Sequence, residues 1–249
     1  VHGSGPSNMD EAMGPNAPFR DLAEGLSRRG VAVLRYDKRT FVCPQFFENA
    51  KEGYTYDDET VDDAISAVRL VKDSLAKEMA IDPSRIYIVG HSMGGMLAPR
   101  IAQRSGDVAG LVLLAAPTGK LLPTIERQLA YLGRSAEEIR KLTEIALADI
   151  PDSYLDLDAR YSDTATAQEL NIPMLILQGE RDYQVTMDDY RAWREAVGNR
   201  QGVVMKSYPS LNHLFMAGKG GSMPEEYQTP GHVAEEVMDD IANFVLSGK

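Results

Sequence analysis

Ile86-Tyr-Ile-Val-Gly-His-Ser-Met-Gly-Gly95 is the stretch on which the reading of this chain turns. Its opening residues are apolar and aromatic, as in a strand buried on both faces. Gly90-His91-Ser92-Met93-Gly94 then sets a serine between two glycines, and residues 98–104 continue at helical spacing. A serine on so sharp a strand-to-helix turn takes a strained backbone and stands with its Oγ above the sheet, while the helix N-terminus behind it favours developing negative charge. Residues two before and two after must be small, because the turn leaves no room for a side chain. Ser92 is therefore the candidate nucleophile.

A serine needs a base, and the base needs a carboxylate to orient it. Of the four histidines, His91 adjoins the serine on a turn where neighbouring side chains diverge, and His232 starts the last helix. His213, in Ser207-Tyr-Pro-Ser-Leu-Asn-His213, follows the last strand and is the expected base. Asp182, in Gly179-Glu-Arg-Asp182, follows the preceding strand at the same sheet end and is the expected orienting carboxylate. Glu180 competes but sits beside Arg181, as in a solvated ion pair. An oxyanion hole requires two backbone N–H groups aimed at one point. Met93 would supply one, and Ser4, in the turn His2-Gly-Ser-Gly5, the other.

Outward from this constellation, strands are expected at residues 31–36, 86–89, 111–115, 174–177 and 203–205, with helices at 19–29, 58–79, 94–104 and 233–246. Strands alternating with amphipathic helices predict an α/β fold, a mostly parallel sheet flanked by helices. Residues 118–169 break the rhythm: Ile125, Leu129 and Leu132 recur at helical spacing and a second helix follows at 137–148. The expected organisation is a catalytic core, 1–117 and 170–249, with a helical cap, 118–169, inserted in it. Tyr131, Leu132 and Tyr154 in the cap, Phe215 beside the base and Met93 are the expected substrate-lining residues. Tyr36-Asp-Lys-Arg39 reads as an ion-pair cluster bracing the active-site loops. The chain opens on a strand end running into a turn, so the N-terminal strands of such a sheet are expected to be missing from it.

Composition narrows the classes further. With 43% hydrophobic and 25% charged residues among 249, the chain is globular rather than disordered. A net charge of −11 without a Lys/Arg cluster argues against nucleic acid. No apolar run is long enough to span a membrane. One cysteine, Cys43, excludes an internal disulfide, and the scattered histidines offer no metal-ligand spacing, so neither metal nor cofactor is expected. The cysteine usage fits the cytoplasm, with secretion as the alternative, and oligomeric state is unreadable.

The combined motifs resemble the α/β-hydrolase superfamily, within it a bacterial group of carboxylesterases and serine-aminopeptidase-like enzymes. The resemblance rests on His2-Gly-Ser-Gly-Pro6, Gly14-Pro-Asn-Ala-Pro-Phe19, Leu34-Arg-Tyr-Asp-Lys-Arg39, Gly90-His-Ser-Met-Gly-Gly95 and Asn212-His-Leu-Phe215, and runs nearly end to end. Ser7-Asn-Met-Asp-Glu11 departs from it, since similar proteins carry more charge there. The resemblance implies cofactor-free hydrolysis of small-molecule carboxylic esters through an acyl-enzyme. Peptidase, thioesterase or acyltransferase chemistry on the same triad is the alternative. An aminopeptidase would need a carboxylate for the substrate amine, for which Asp10, Glu11 and Glu126 are candidates. A non-catalytic binding protein fits least, because all three triad members are present.

Overall fold

A computed structural model of the chain describes residues 1–48, 50 and 53–248. Four strands, β1 (Tyr87–His91), β2 (Gly110–Leu114), β3 (Met174–Gly179) and β4 (Val203–Tyr208), form one sheet in that order, every pair parallel. Because side chains alternate along a strand, β2 and β3 feed two cores. Leu111, Leu113, Met174 and Ile176 face one core, while Val112, Leu114, Leu175 and Leu177 face the other. The first core is closed by the helices Asp62–Leu70, Met93–Ser105 and Met187–Val197, the second by Pro18–Arg28 and Glu235–Ser247. The result is a sheet sandwiched between two helical layers.

The expected helix at 58–79 is a run of helical turns from Asp57 to Glu78, two of them wound more widely. Of Val61, Ile65, Val68 and Leu75, whose spacing predicts one buried face, the first three are buried and Leu75 is half-buried. Between β2 and β3 lie four helices, the two read from the sequence among them: Leu121–Tyr131, Ala136–Leu147, Asp152–Arg160 and Asp163–Glu169. The first two hold a single buried residue, Thr143, so they rest on the surface of the molecule.

The strand expected at 31–36 is not formed among the described residues. A strand exists by pairing, and this segment faces β1 across a trough of about 710 Å³ that both line. Val33 and Leu34 are left 39% and 42% exposed in consequence. Val1, by contrast, is tied to the β1 edge: its backbone nitrogen donates to Val89 O (2.6 Å), and its carbonyl accepts from His91 N (3.0 Å). That pairing brings residues 2–5 over the C-terminal end of β1.

Candidate active site

At the end of β1 the chain turns through Ser92, whose φ of 53° and ψ of −122° lie outside the comfortable range of an L-residue. The neighbouring glycines show why. A Cβ on Gly90 would collide with the Gly94 carbonyl, and one on Gly94 with the carbonyls of Val1 and His2. The helix Met93–Ser105 starts at once, with Gly95 N and Met96 N both donating to Ser92 O (2.9 and 3.0 Å). The Met93 N–H, first in the helix, is taken by no hydrogen bond among the described residues, and neither is that of Ser4. Gly3 lies directly over the serine, where a Cβ on it would stand 3.2 Å from Ser92 Cβ and 3.7 Å from Oγ.

β3 and β4 deliver the other two groups at the same end of the sheet. Asp182 is 5% exposed, and its Oδ1 accepts the N–H groups of Gln184 (2.8 Å) and Val185 (3.1 Å). Its Oδ2 accepts from His213 Nδ1 at 2.6 Å and from Gln178 Nε2 at 3.3 Å. A carboxylate so fully bonded leaves the imidazole one tautomer, with Nε2 free to act as base. The His213 loop is wound tightly: Asn212 Oδ1 accepts from Leu214 N (3.0 Å) and Met216 N (3.1 Å), and Phe215 is forced to φ 57°. Arg181 laces this loop, donating to Gly220 O (2.6 Å) and Lys219 O (3.0 Å) and pairing with Glu226. Glu180 is therefore not ion-paired to Arg181 and instead accepts from Ser207 Oγ (2.7 Å). The His213 ring bonds Asp182 and makes no hydrogen bond to Ser92 among the described residues.

His91 points away from the serine, as its place on the turn predicts, but it is not idle. Its Nδ1 faces Glu11 Oε2 at 2.8 Å, an ionic contact, and its Nε2 faces the His213 carbonyl at 2.9 Å. Both neighbours accept while Glu11 is ionised, so an imidazolium suits the ring, although the Glu11 contact is an ion pair rather than an aligned hydrogen bond. Burial opposes that charge, yet Glu11 and the His213 carbonyl outweigh it and hold the pKa above the usual 6.5. Burial likewise pushes against the Glu11 carboxylate, but His91 and the Gly3 N–H keep its pKa below the usual 4.5. His232 is 81% exposed in its side chain and pairs with Asp21 at 3.1 Å, far from this chemistry.

The expected lining residues scatter. Tyr154, 6% exposed, stands with its hydroxyl 3.7 Å from Met93 Sδ and donates to Glu59 Oε2 at 2.7 Å. Tyr131 is 45% exposed, stacks on Tyr183 and donates to Ser222 O (3.1 Å), while Leu132 packs on the cluster of Tyr183, Leu214 and Met216. Phe215 is 2% exposed in the core with Phe19, Leu22 and Tyr208, so it packs beneath the base loop rather than beside open space. The residues that sequence reasoning undervalued are Glu11, Glu59 and Lys38. Glu11 carried a signal only as a candidate carboxylate for a substrate amine and Lys38 only within the Tyr36-Asp-Lys-Arg39 cluster, while Glu59 carried none.

Known proteins resemble this chain to different extents. Esterase EstD of Thermotoga maritima is 40% identical over 261 aligned residues, which cover 99% of this chain and 61% of that protein, so the chain spans about three fifths of the relative's length. The structure of an esterase from Pyrococcus furiosus superposes with a TM-score of 0.66 at 18% identity, over 99% of this chain and 80% of that one. A meta-cleavage product hydrolase from Pseudomonas fluorescens gives 0.57 at 17% identity, over 100% and 89%. At such identities the two structures speak for the fold alone. The sequence model of the alpha/beta hydrolase family matches residues 1–238, and with the parallel sheet and serine elbow this establishes the chain as a member of the alpha/beta hydrolase family.

Proposed function

We propose that the chain hydrolyses carboxylic esters of small acyl or aryl groups through a serine acyl-enzyme. The observation that carries this reading is the 2.6 Å bond from His213 Nδ1 to the buried Asp182, at the sheet end where Ser92 takes its strained turn. Ser92 Oγ attacks the ester carbonyl as His213 Nε2 takes its proton. The oxyanion falls to the N–H groups of Met93 and Ser4, both otherwise unbonded. His213 then protonates the leaving alcohol, and water, activated by the same imidazole, releases the acid. The four helices of residues 118–169 serve as the cap, with Tyr154 reaching from them to Met93. Tyr131 offers a more exposed wall, and Phe215 supports the base loop from below.

The name of the Thermotoga relative agrees with this chemistry. The aminopeptidase alternative loses two of its three carboxylates, Glu11 to Gly3 and His91 and Asp10 to Arg35, and keeps only the exposed Glu126. The test is hydrolysis of p-nitrophenyl esters from acetate to decanoate beside aminoacyl p-nitroanilides, with Ser92→Ala as control. Ester turnover that vanishes with Ser92 is the expected result. Anilide turnover without ester turnover would refute it.

A further inference from the structure

The turn that carries Ser4 has a mechanical problem. Gly3 must approach Ser92 so closely that a Cβ would come within 3.2 Å of it, and a residue without Cβ rotates freely about ψ. A flip of the Gly3–Ser4 peptide would turn a carbonyl oxygen, instead of an N–H, toward the developing negative charge. Something must hold that peptide plane.

Lys38 is placed to do so. It is 2% exposed, and its Nζ has three acceptors: Gly3 O at 2.9 Å, Gly5 O at 3.1 Å and Glu59 Oε1 at 2.5 Å. An ammonium has three N–H groups, so all are used, two of them on this turn. No described peptide bond is cis, and across a trans peptide the C=O and the following N–H are antiparallel. Fixing Gly3 O on Lys38 therefore aims the Ser4 N–H away from the lysine. Glu11 Oε1 holds the preceding N–H, that of Gly3, at 2.6 Å, while that of Ser4 stays free. Glu59 balances the buried ammonium, and its second oxygen accepts from Tyr154, whose hydroxyl stands 3.7 Å from Sδ of Met93, the other donor's residue.

We propose that Lys38 is a positioning residue for the oxyanion hole: its ammonium locks the Gly3–Ser4 peptide with the N–H toward the substrate oxyanion. The proposal rests on the ester-hydrolysis reading. It predicts that removing the lysine weakens binding of the transition state far more than binding of the ester.

The experiment compares wild type with Lys38→Met/Glu59→Gln, which removes both buried charges together, and with Lys38→Arg, which keeps the charge but replaces a compact donor by a planar fork. Each is assayed on p-nitrophenyl butyrate and against an alkyl trifluoromethyl ketone, whose hemiketal with Ser92 carries an oxyanion, with urea unfolding as the check on the fold. In the double variant kcat should fall on the order of 10- to 100-fold and the ketone Ki rise by a similar factor, with KM changed by less than about threefold. Lys38→Arg should lose kcat and Ki together by a smaller factor. A folded double variant, or Lys38→Arg, with kcat and Ki both within about threefold of wild type would overturn the proposal, as would a loss confined to KM. Ester turnover surviving in Ser92→Ala would overturn the ester reading itself, whatever the lysine variants do.

Discussion

Replacing Glu11 by alanine asks whether buried charge holds the site together. Two groups meet at this carboxylate, the Gly3 N–H at 2.6 Å and His91 Nδ1 at 2.8 Å, and His91 carries the link on to the His213 carbonyl at 2.9 Å. The His91 and Glu11 side chains are 7% and 10% exposed. Removing one member of such a pair strands the other, at a cost of about 3–5 kcal/mol. The strain of φ 50° at position 11 is common to glutamate, glutamine and alanine and drops out of the comparison. Glu11→Gln is the control, because its carbonyl can still accept from Gly3 and its amide can donate to a neutral His91. That variant should lose only about 1 kcal/mol, the difference between charged and neutral hydrogen bonds.

The same pair fixes the sign of the pH dependence. His91, its pKa raised above 6.5, contributes stability that is complete below 6.5 and fades as pH climbs through the folded value. Glu11, its pKa lowered below 4.5, contributes stability that is complete above 4.5 and fades as pH drops through the folded value. The pair thus contributes most between those two limits. Urea unfolding of wild type and both variants should show the widest gaps near about pH 5.5 and narrower ones near about pH 9. Glu11→Ala within about 1 kcal/mol of wild type, or gaps equal at both pH values, would refute the reasoning.

Four other outcomes are expected. Asp182→Asn should lower kcat about 10⁴-fold with KM little altered, through the wrong imidazole tautomer, and a loss under tenfold on p-nitrophenyl esters would contradict the triad. His213→Ala should abolish esterase turnover while His232→Ala keeps it, since the latter side chain is 81% exposed and paired to Asp21; the reverse pattern would move the base. Gly94→Ala should lower the free energy of unfolding by about 1–3 kcal/mol, because its Cβ meets the carbonyls of Val1 and His2; an unchanged urea midpoint would show that the turn can yield. Burial pushes the Asp163 carboxyl up from 3.8 to about 6, so the folded state loses stability as pH rises through that interval. Asp163→Asn should therefore match wild type near about pH 4 and exceed it by about 1–3 kcal/mol near about pH 8, and an equal gain at both would deny the titration.

What the sequence disclosed follows the range of the interactions involved. The elbow is only partly a local device: the collision that demands Gly90 is with Gly94, four residues on, while Gly94 answers to the carbonyls of the distant Val1 and His2. β1, β2, β3 and β4 were legible because strands buried on both faces are continuous apolar runs. Residues 31–36 have the same composition, yet composition cannot say whether a pairing partner lies alongside. Phe215 was read as a pocket wall from its nearness in sequence to His213, but the Asn212 turn reverses the chain between them and sends the ring into the core.

The buried polar groups stayed hidden for a related reason. Lys38 meets Glu59 21 residues away, Tyr154 meets Glu59 across 95, and Glu11 reaches His91 through the fold. Nothing in a stretch of sequence distinguishes such a charge from one on a solvated surface, which is the commoner fate. Yet the elbow motif already implied that partners of this kind must exist. A turn with glycine at positions 3 and 5 has no side chain of its own with which to hold its peptide planes, and an oxyanion donor that can rotate stabilises little. Its order has to come from outside, and buried charged groups donate and accept more strongly than neutral ones. The Glu11 carboxylate on one side of Gly3 and the Lys38 ammonium on the other meet that need with opposite charges, each neutralised in turn by a second buried partner, His91 or Glu59.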